Sequence, residues 1–145
     1  MHIGIATDHA GFEFKQIIKN FLHQKNLKNI KDLGCLSEES VDYPDYAHAL
    51  AEMISKKTIN YGILCCGSGN GMAMTANRHL GVRAALCWNV QIAHLARAHN
   101  DANILVLPAR FITSAVALEL VETFLNTNFE AGRHQKRIEK IDQLH

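Results

Sequence analysis

Apolar residues along this 145-residue chain switch repeatedly between two spacings. Short apolar runs at residues 2–7, at about 59–65 and at Ile104-Leu105-Val106-Leu107 have the length of buried strands. Between them the spacing becomes helical: Phe14, Ile17, Ile18, Phe21 and Leu22 fall at i, i+3, i+4, i+7 and i+8. Ala47, Leu50, Ala51 and Ile54 form a second such stripe, and Val116, Leu120, Val121, Phe124 and Leu125 a third. A weaker strand is expected at Ile30–Leu33, closed by Gly34, and another at Val82–Trp88. A short helix from Met72 to about Asn77 and one from about Val90 to Ala98 fill the remaining gaps. The last segment, 134–144, places Ile138, Ile141 and Leu144 on one side of a helix. Strict alternation of strand and helix predicts an α/β fold, with a five-stranded parallel sheet between two helical layers. Without repeats or linker-like runs, residues 1–145 read as one domain.

Composition narrows the function classes. A hydrophobic content of 48% with 20% charged residues is that of a globular protein, not a disordered tail. The formal charge of +1 supplies no basic field for nucleic acid. Nor does any apolar run approach the roughly 20 residues needed to cross a bilayer. Met1-His2-Ile3-Gly4-Ile5-Ala6 lacks the basic start of a signal peptide and reads as a core strand. Cys35, Cys65, Cys66 and Cys87 show no CxxC spacing, so reduced thiols and a cytoplasmic setting are expected. The nine histidines include no HExxH pattern, and neither a metal nor a cofactor is expected.

The chemistry centres on Tyr61-Gly62-Ile63-Leu64-Cys65-Cys66-Gly67-Ser68-Gly69-Asn70-Gly71-Met72. A strand, a glycine-rich turn and a helix N-terminus make a cradle for an anion, because free N–H groups and the helix dipole converge there. Met72 stands where a GxGxxG motif needs its last glycine, the acid expected about 20 residues later is absent, and no GKS or GKT follows. Dinucleotide and P-loop readings therefore fail. A ligand-free tight turn is the bland alternative, but three glycines exceed what one turn needs. Cys66, at the strand end, is either a small core residue or a base or nucleophile whose thiol the helix N-terminus lowers somewhat. Cys65 should face the other way.

Strand ends gather ligands in such folds, which puts Asp8, His9, Asn89 and Arg110 on the cradle's edge of the sheet. Asp42-Tyr43-Pro44-Asp45 follows the second strand and can lie close. Arg133 and Arg137 are spaced to share a helix face and suit a phosphate, although flanking Lys136 and Lys140 equally describe a solvated basic surface. His99, closing a helix, reads on its own as a dipole-compensating cap.

Together Asp8-His9-Ala10-Gly11-Phe12, Asp42-Tyr43-Pro44, Cys66-Gly67-Ser68-Gly69, Ala76-Asn77, the RAHNDAN run Arg97 to Asn103 and Gly132-Arg133-His134 resemble the type B ribose-5-phosphate isomerases of the RpiB/LacAB sugar-phosphate isomerase family. The resemblance spans essentially the whole chain. It implies a Rossmann-like fold and an aldose–ketose isomerase that interconverts ribose 5-phosphate and ribulose 5-phosphate through an enediolate, a step of the pentose phosphate pathway. It implies Cys66 as the base, His99 in ring opening, and Ser68 in moving a proton between the oxygens. Gly67, Ser68, Gly69, Asn70 and Gly71 would hold the enediolate; Asp8, His9 and Asn100 would contact substrate and Tyr43 line the pocket. Arg110, Arg133 and Arg137 would bind phosphate. Many members carry threonine in place of Ser68, and another branch uses a glutamate just after the same GSGNG loop. Met72 stands in that glutamate's place, which leaves the base to Cys66.

His99 should lie at the amino edge of the sheet and Cys66 at the carboxyl edge, a strand length of about 17–20 Å apart. The expected assembly is therefore a homodimer with shared sites, with a tetramer as the larger alternative and the C-terminal helix on a partner subunit. Two other readings stay open: a six-carbon substrate such as galactose 6-phosphate or allose 6-phosphate, and a non-catalytic sugar-phosphate-binding module.

Overall fold

A computed structural model describes residues 1–143. Five parallel strands, β1 (Ile3–Thr7), β2 (Ile30–Asp32), β3 (Tyr61–Cys66), β4 (Ala84–Leu86) and β5 (Ile104–Pro108), lie in the order β2-β1-β3-β5-β4. The helices are α1 (Phe12–Gln24), α2 (Tyr43–Ser55), α3 (Asn70–Ala76), α4 (Val90–Ala98), α5 (Ser114–Asn126) and α6 (Arg133–Ile138). This is the expected three-layer α/β sandwich.

Period two along β3 divides its side chains between two cores. Ile63 and Cys65 join Ile18 and Leu22 of α1, Ala93 of α4, and Leu120 and Phe124 of α5. Leu64 and Cys66 join Leu50 and Ile54 of α2 and Met72 of α3 on the other face. The helices start where local chemistry supplies partners for their first N–H groups. Asn89 Oδ1 accepts from Ile92 N–H at 2.9 Å to cap α4, and Thr113 Oγ1 accepts from Val116 N–H at 3.2 Å to cap α5.

Several boundaries differ from the sequence reading. β4 covers three residues rather than Val82–Trp88, because as an edge strand it pairs only with β5. α3 begins two residues before Met72, since Gly69 at φ +80° turns the chain into the helix already at Asn70. The last helix is confined to Arg133–Ile138, and residues 139–142 continue as turns. Leu144, expected on its apolar side, lies outside the described residues. Among the described residues no helix is long and apolar enough to cross a membrane.

Candidate active site

β1 and β3 are neighbours whose onward helices, α1 and α3, pack on opposite faces of the sheet. Such a parting of connections opens a crevice at the carboxyl ends of the strands. Cys66 ends β3 there, 5% exposed, and its Sγ accepts from Gly69 N–H at 3.2 Å. Burial pushes this thiol up; N–H groups of Met72 and Gly69 pull it down, Asp8 adds to the rise, and the N–H of Ser68 opposes it. The net direction is upward, so the expectation of a lowered thiol is corrected. Withdrawal from water outweighs the helix N-terminus. Cys65 faces the other core, and burial raises its thiol further still.

Around Cys66 the loop is shaped by close approach. Arg110 N–H donates to Gly67 O at 3.0 Å, and the Arg110 side chain lies over Gly67, where an added Cβ would meet Nη1 at 3.2 Å. Ser68 is exposed, and its Oγ accepts from Asn70 N–H at 3.3 Å. Tyr43, the first residue of α2, roofs the far end: a Cβ on Gly71 would stand 2.3 Å from its Cζ. On the β1 side, Asp8 Oδ1 accepts from Ala10 N–H at 3.0 Å and Gly11 N–H at 3.2 Å, capping a 3₁₀ turn at His9–Gly11. His9 Nδ1 accepts from Val41 N–H at 3.3 Å, which puts the hydrogen of the neutral ring on Nε2. Asp8, His9, Tyr43, the 66–71 loop and Arg110 therefore share one edge. Asn89, expected there too, uses its side chain to cap α4.

The remaining candidates sit elsewhere. His99 is the C-cap of α4, which runs back from β4, so His99 and Asn100 lie at the amino edge. α6 is tied to the same place: Glu130 N–H donates to Ala98 O at 3.0 Å, and the His134 ring stacks on His99 with centroids 4.2 Å apart. Arg133 and Arg137 share this short helix and are exposed. Burial, then the ring of His99 and the charge of Arg133, hold the His134 imidazole below its ordinary pKa. The sequence reading assigned no role to His134 or Glu130. Their four-residue spacing is a signal only once the chain is known to fold the pair against His99. A cleft of about 370 Å³ also opens at this edge, lined by Asn77, Val82, Arg83, Asn100 and Ile141 among others; it lies far from Cys66 and touches none of the three arginines 110, 133 and 137. Among the described residues, His99, Glu130 and His134 form a donor set that could hold a metal ion, with one ligand atom from each inside 4.8 Å of the others.

Comparison with known proteins bears on what this arrangement belongs to. A profile of the Ribose/Galactose Isomerase family matches residues 3–141. Ribose-5-phosphate isomerase B of Escherichia coli is 37% identical over 142 residues, spanning 98% of this chain and 95% of that protein. The crystal structure of a ribose 5-phosphate isomerase from Thermotoga maritima superposes with a TM-score of 0.96 at 52% identity, covering 99% and 98% of the two chains. The Mycoplasma genitalium ribose-5-phosphate isomerase B, solved with bound ribulose-5-phosphate, gives 0.92 at 44% identity over 97% and 93%. Matched in sequence and in fold over nearly its whole length, the chain belongs to the ribose/galactose isomerase family and is a type B sugar-phosphate isomerase.

Proposed function

We propose that the chain interconverts D-ribose 5-phosphate and D-ribulose 5-phosphate through an enediolate, with Cys66 as general base. The observation that carries this is the placement of Cys66 Sγ at the strand end, 3.2 Å from Gly69 N–H, inside a loop of N–H donors. Names of the relatives, and the ribulose-5-phosphate in the Mycoplasma structure, support the five-carbon substrate.

The reaction starts with ring opening, in which His99 gives a proton to the ring oxygen as the C1 hydroxyl loses one. The Cys66 thiolate then takes the C2 proton, and the electron pair moves through the C1–C2 bond onto the carbonyl oxygen. N–H groups of residues 67–71 hold the resulting negative oxygen, an effect worth about 3–4 kcal/mol per donor in other enzymes. Ser68 Oγ carries a proton between O1 and O2, and the thiol returns its proton to C1. Asp8, His9 and Asn100 bind sugar oxygens, Tyr43 walls the pocket, and Arg110, Arg133 and Arg137 take the phosphate. These contacts hold C1 and C2 against the thiol with binding energy remote from the chemistry.

His99 and Cys66 belong to opposite edges of one sheet, so the site is completed by a second copy. Because α6 stacks on His99, Arg133 and Arg137 travel with it, and the neighbour supplies all three. Trp88, Val90 and Phe111, which leave β4 and β5 at the carboxyl edge, are 53%, 39% and 75% exposed and give the neighbour an apolar face to cover. A coupled assay on ribose 5-phosphate, galactose 6-phosphate and allose 6-phosphate tests the substrate. Cys66→Ala should lower turnover of the preferred one by about 10²–10⁴-fold. Unchanged turnover in that variant would remove Cys66 as the base, and preference for a six-carbon phosphate would overturn the substrate assignment.

A further inference from the structure

His99, Glu130 and His134 converge more closely than a dipole cap or an incidental surface cluster requires. His99 Nε2 lies 3.6 Å and His134 Nε2 3.7 Å from the same atom, Glu130 Oε2. Ligands held about 2.0–2.1 Å from one tetrahedral zinc ion stand about 3.3 Å apart. The two distances to Glu130 are only a few tenths of an ångström wider than that, and all three ligand atoms lie within 4.8 Å of one another. Its backbone is already fixed: Glu130 N–H donates to Ala98 O at 3.0 Å and His134 N–H to Ala131 O at 3.0 Å. The two rings stack with an interplanar angle of 13°, which holds both side chains beside the same carboxylate. His99 is 36% exposed, so its ring has room to turn and aim its lone pair at a shared ion. Two imidazoles and one carboxylate, with a fourth position open to water, suit Zn²⁺ or Co²⁺ rather than the all-oxygen preference of Mg²⁺ or Ca²⁺.

We propose that His99, Glu130 and His134 form a site for a zinc-class divalent ion, and that its occupancy stops the isomerase by tying up His99 Nε2. The inhibitory half rests on the reading above that His99 opens the sugar ring. A metallated nitrogen neither donates nor accepts a proton, so the closed sugar would stay closed.

Titration of the full chain with Co²⁺, read by its visible ligand-field absorption, reports the site without reference to activity. One Co²⁺ per chain is expected, with bands kept in Cys66→Ala and affinity lowered at least about tenfold by Glu130→Gln and by His134→Gln. Zn²⁺ should inhibit the unaltered protein, and Glu130→Gln should need at least about tenfold more Zn²⁺ for half-inhibition relative to its own zinc-free rate. No Co²⁺ absorption, unchanged affinity in Glu130→Gln, or bands that vanish with Cys66→Ala would overturn the metal site. Turnover of His99→Ala is measured beside these. If that variant stays active, the ring-opening reading falls while the metal site stands or falls on the Co²⁺ spectrum; if it is inactive yet Zn²⁺ bound at the trio leaves turnover untouched, the inhibitory half is overturned.

Discussion

At Cys66 two effects of opposite sign meet in one thiol. Burial keeps it protonated and the surrounding N–H groups favour its charged form, with burial the larger. The thiolate is then a minority species at neutral pH. Its fraction should still be growing above the ordinary thiol value of about 8.5. Alkylation by iodoacetamide and kcat/KM should both climb from pH 7 to pH 9; a plateau already reached at pH 7 would refute the raised thiol. The glycines make a second contrast. Gly69→Ala would force an L residue to φ +80° with its Cβ 2.4 Å from Leu86 Cδ1, and should cost about 1–3 kcal/mol in a urea titration. Gly71→Ala meets Tyr43, whose ring is 39% exposed and can swing outward. That variant should lose less than about 1 kcal/mol of stability yet show a severalfold higher KM. The glycine-rich loop and its thiol were legible in the sequence because turn and helix-start chemistry are local. The direction of the thiol's shift was not, since desolvation is the sum of what every neighbouring element excludes.

Among the elements, β2 is, like β4, only three residues at a sheet edge, and ions hold it. Lys15 of α1, 1% exposed, pairs with Asp32 Oδ1 at 2.9 Å and also donates to the Cys35 carbonyl; Lys19 holds Asp32 Oδ2 at 2.7 Å. Burial pushes the Asp32 carboxyl up, but Lys19, the Gly34 N–H and Lys15 together bring it below the ordinary value. Its stabilisation is therefore present above about pH 4 and lost as pH falls through the lowered value. Lys15→Ala strips a buried carbonyl of its donor and should cost about 2–3 kcal/mol, under the full buried-pair figure because Lys19 remains. Lys19→Ala, at a site 25% exposed, should cost no more than about 1 kcal/mol. Denaturant midpoints of the two variants decide it, and equal losses would refute the division. The segment after Cys35 carries Val41 to His9, so Lys15→Ala should raise KM as well. Helical spacing found α1 itself, yet it counts a lysine as solvated; only the end of β2 arriving over Lys15 makes it a core residue. α6 shows the reverse error: apolar spacing predicts a helix over 134–144, but the helix stops after Ile138, and Ile141 is left 54% exposed.

On the scale of the whole molecule, the proposed site is divided. Mixing Cys66→Ala chains with His99→Ala chains should restore about a quarter of the unaltered protein's activity, since half the random dimers carry one intact site of two. No recovery after verified subunit exchange would sink the shared site. Stability should also have a pH window. Cys65, Cys66 and Cys87 are all raised, Cys87 to about 12. Their folded-state preference for the thiol is fully present below about pH 8.5 and is lost above it, by up to about 1.4 kcal/mol per unit per thiol. His79 and His134, lowered chiefly by burial, favour the neutral ring and lose stability as pH falls below about 6.5. Unfolding midpoints that stay flat from pH 8 to pH 10 would contradict the thiol half of this window.

Strand and helix alternation, the single-domain sandwich, the cradle at Cys66 and the edge on which Asp8, His9 and Arg110 meet were determined by the sequence itself. Periodicity, glycine placement and chain direction are properties of residues a few positions apart. The burial of Lys15 by a residue 17 positions away, the roofing of Gly71 by Tyr43, and the stack of His99 on His134 over Glu130 were decided only in the folded chain. Each depends on which faces of distant elements meet, and that is settled by packing two cores onto one sheet.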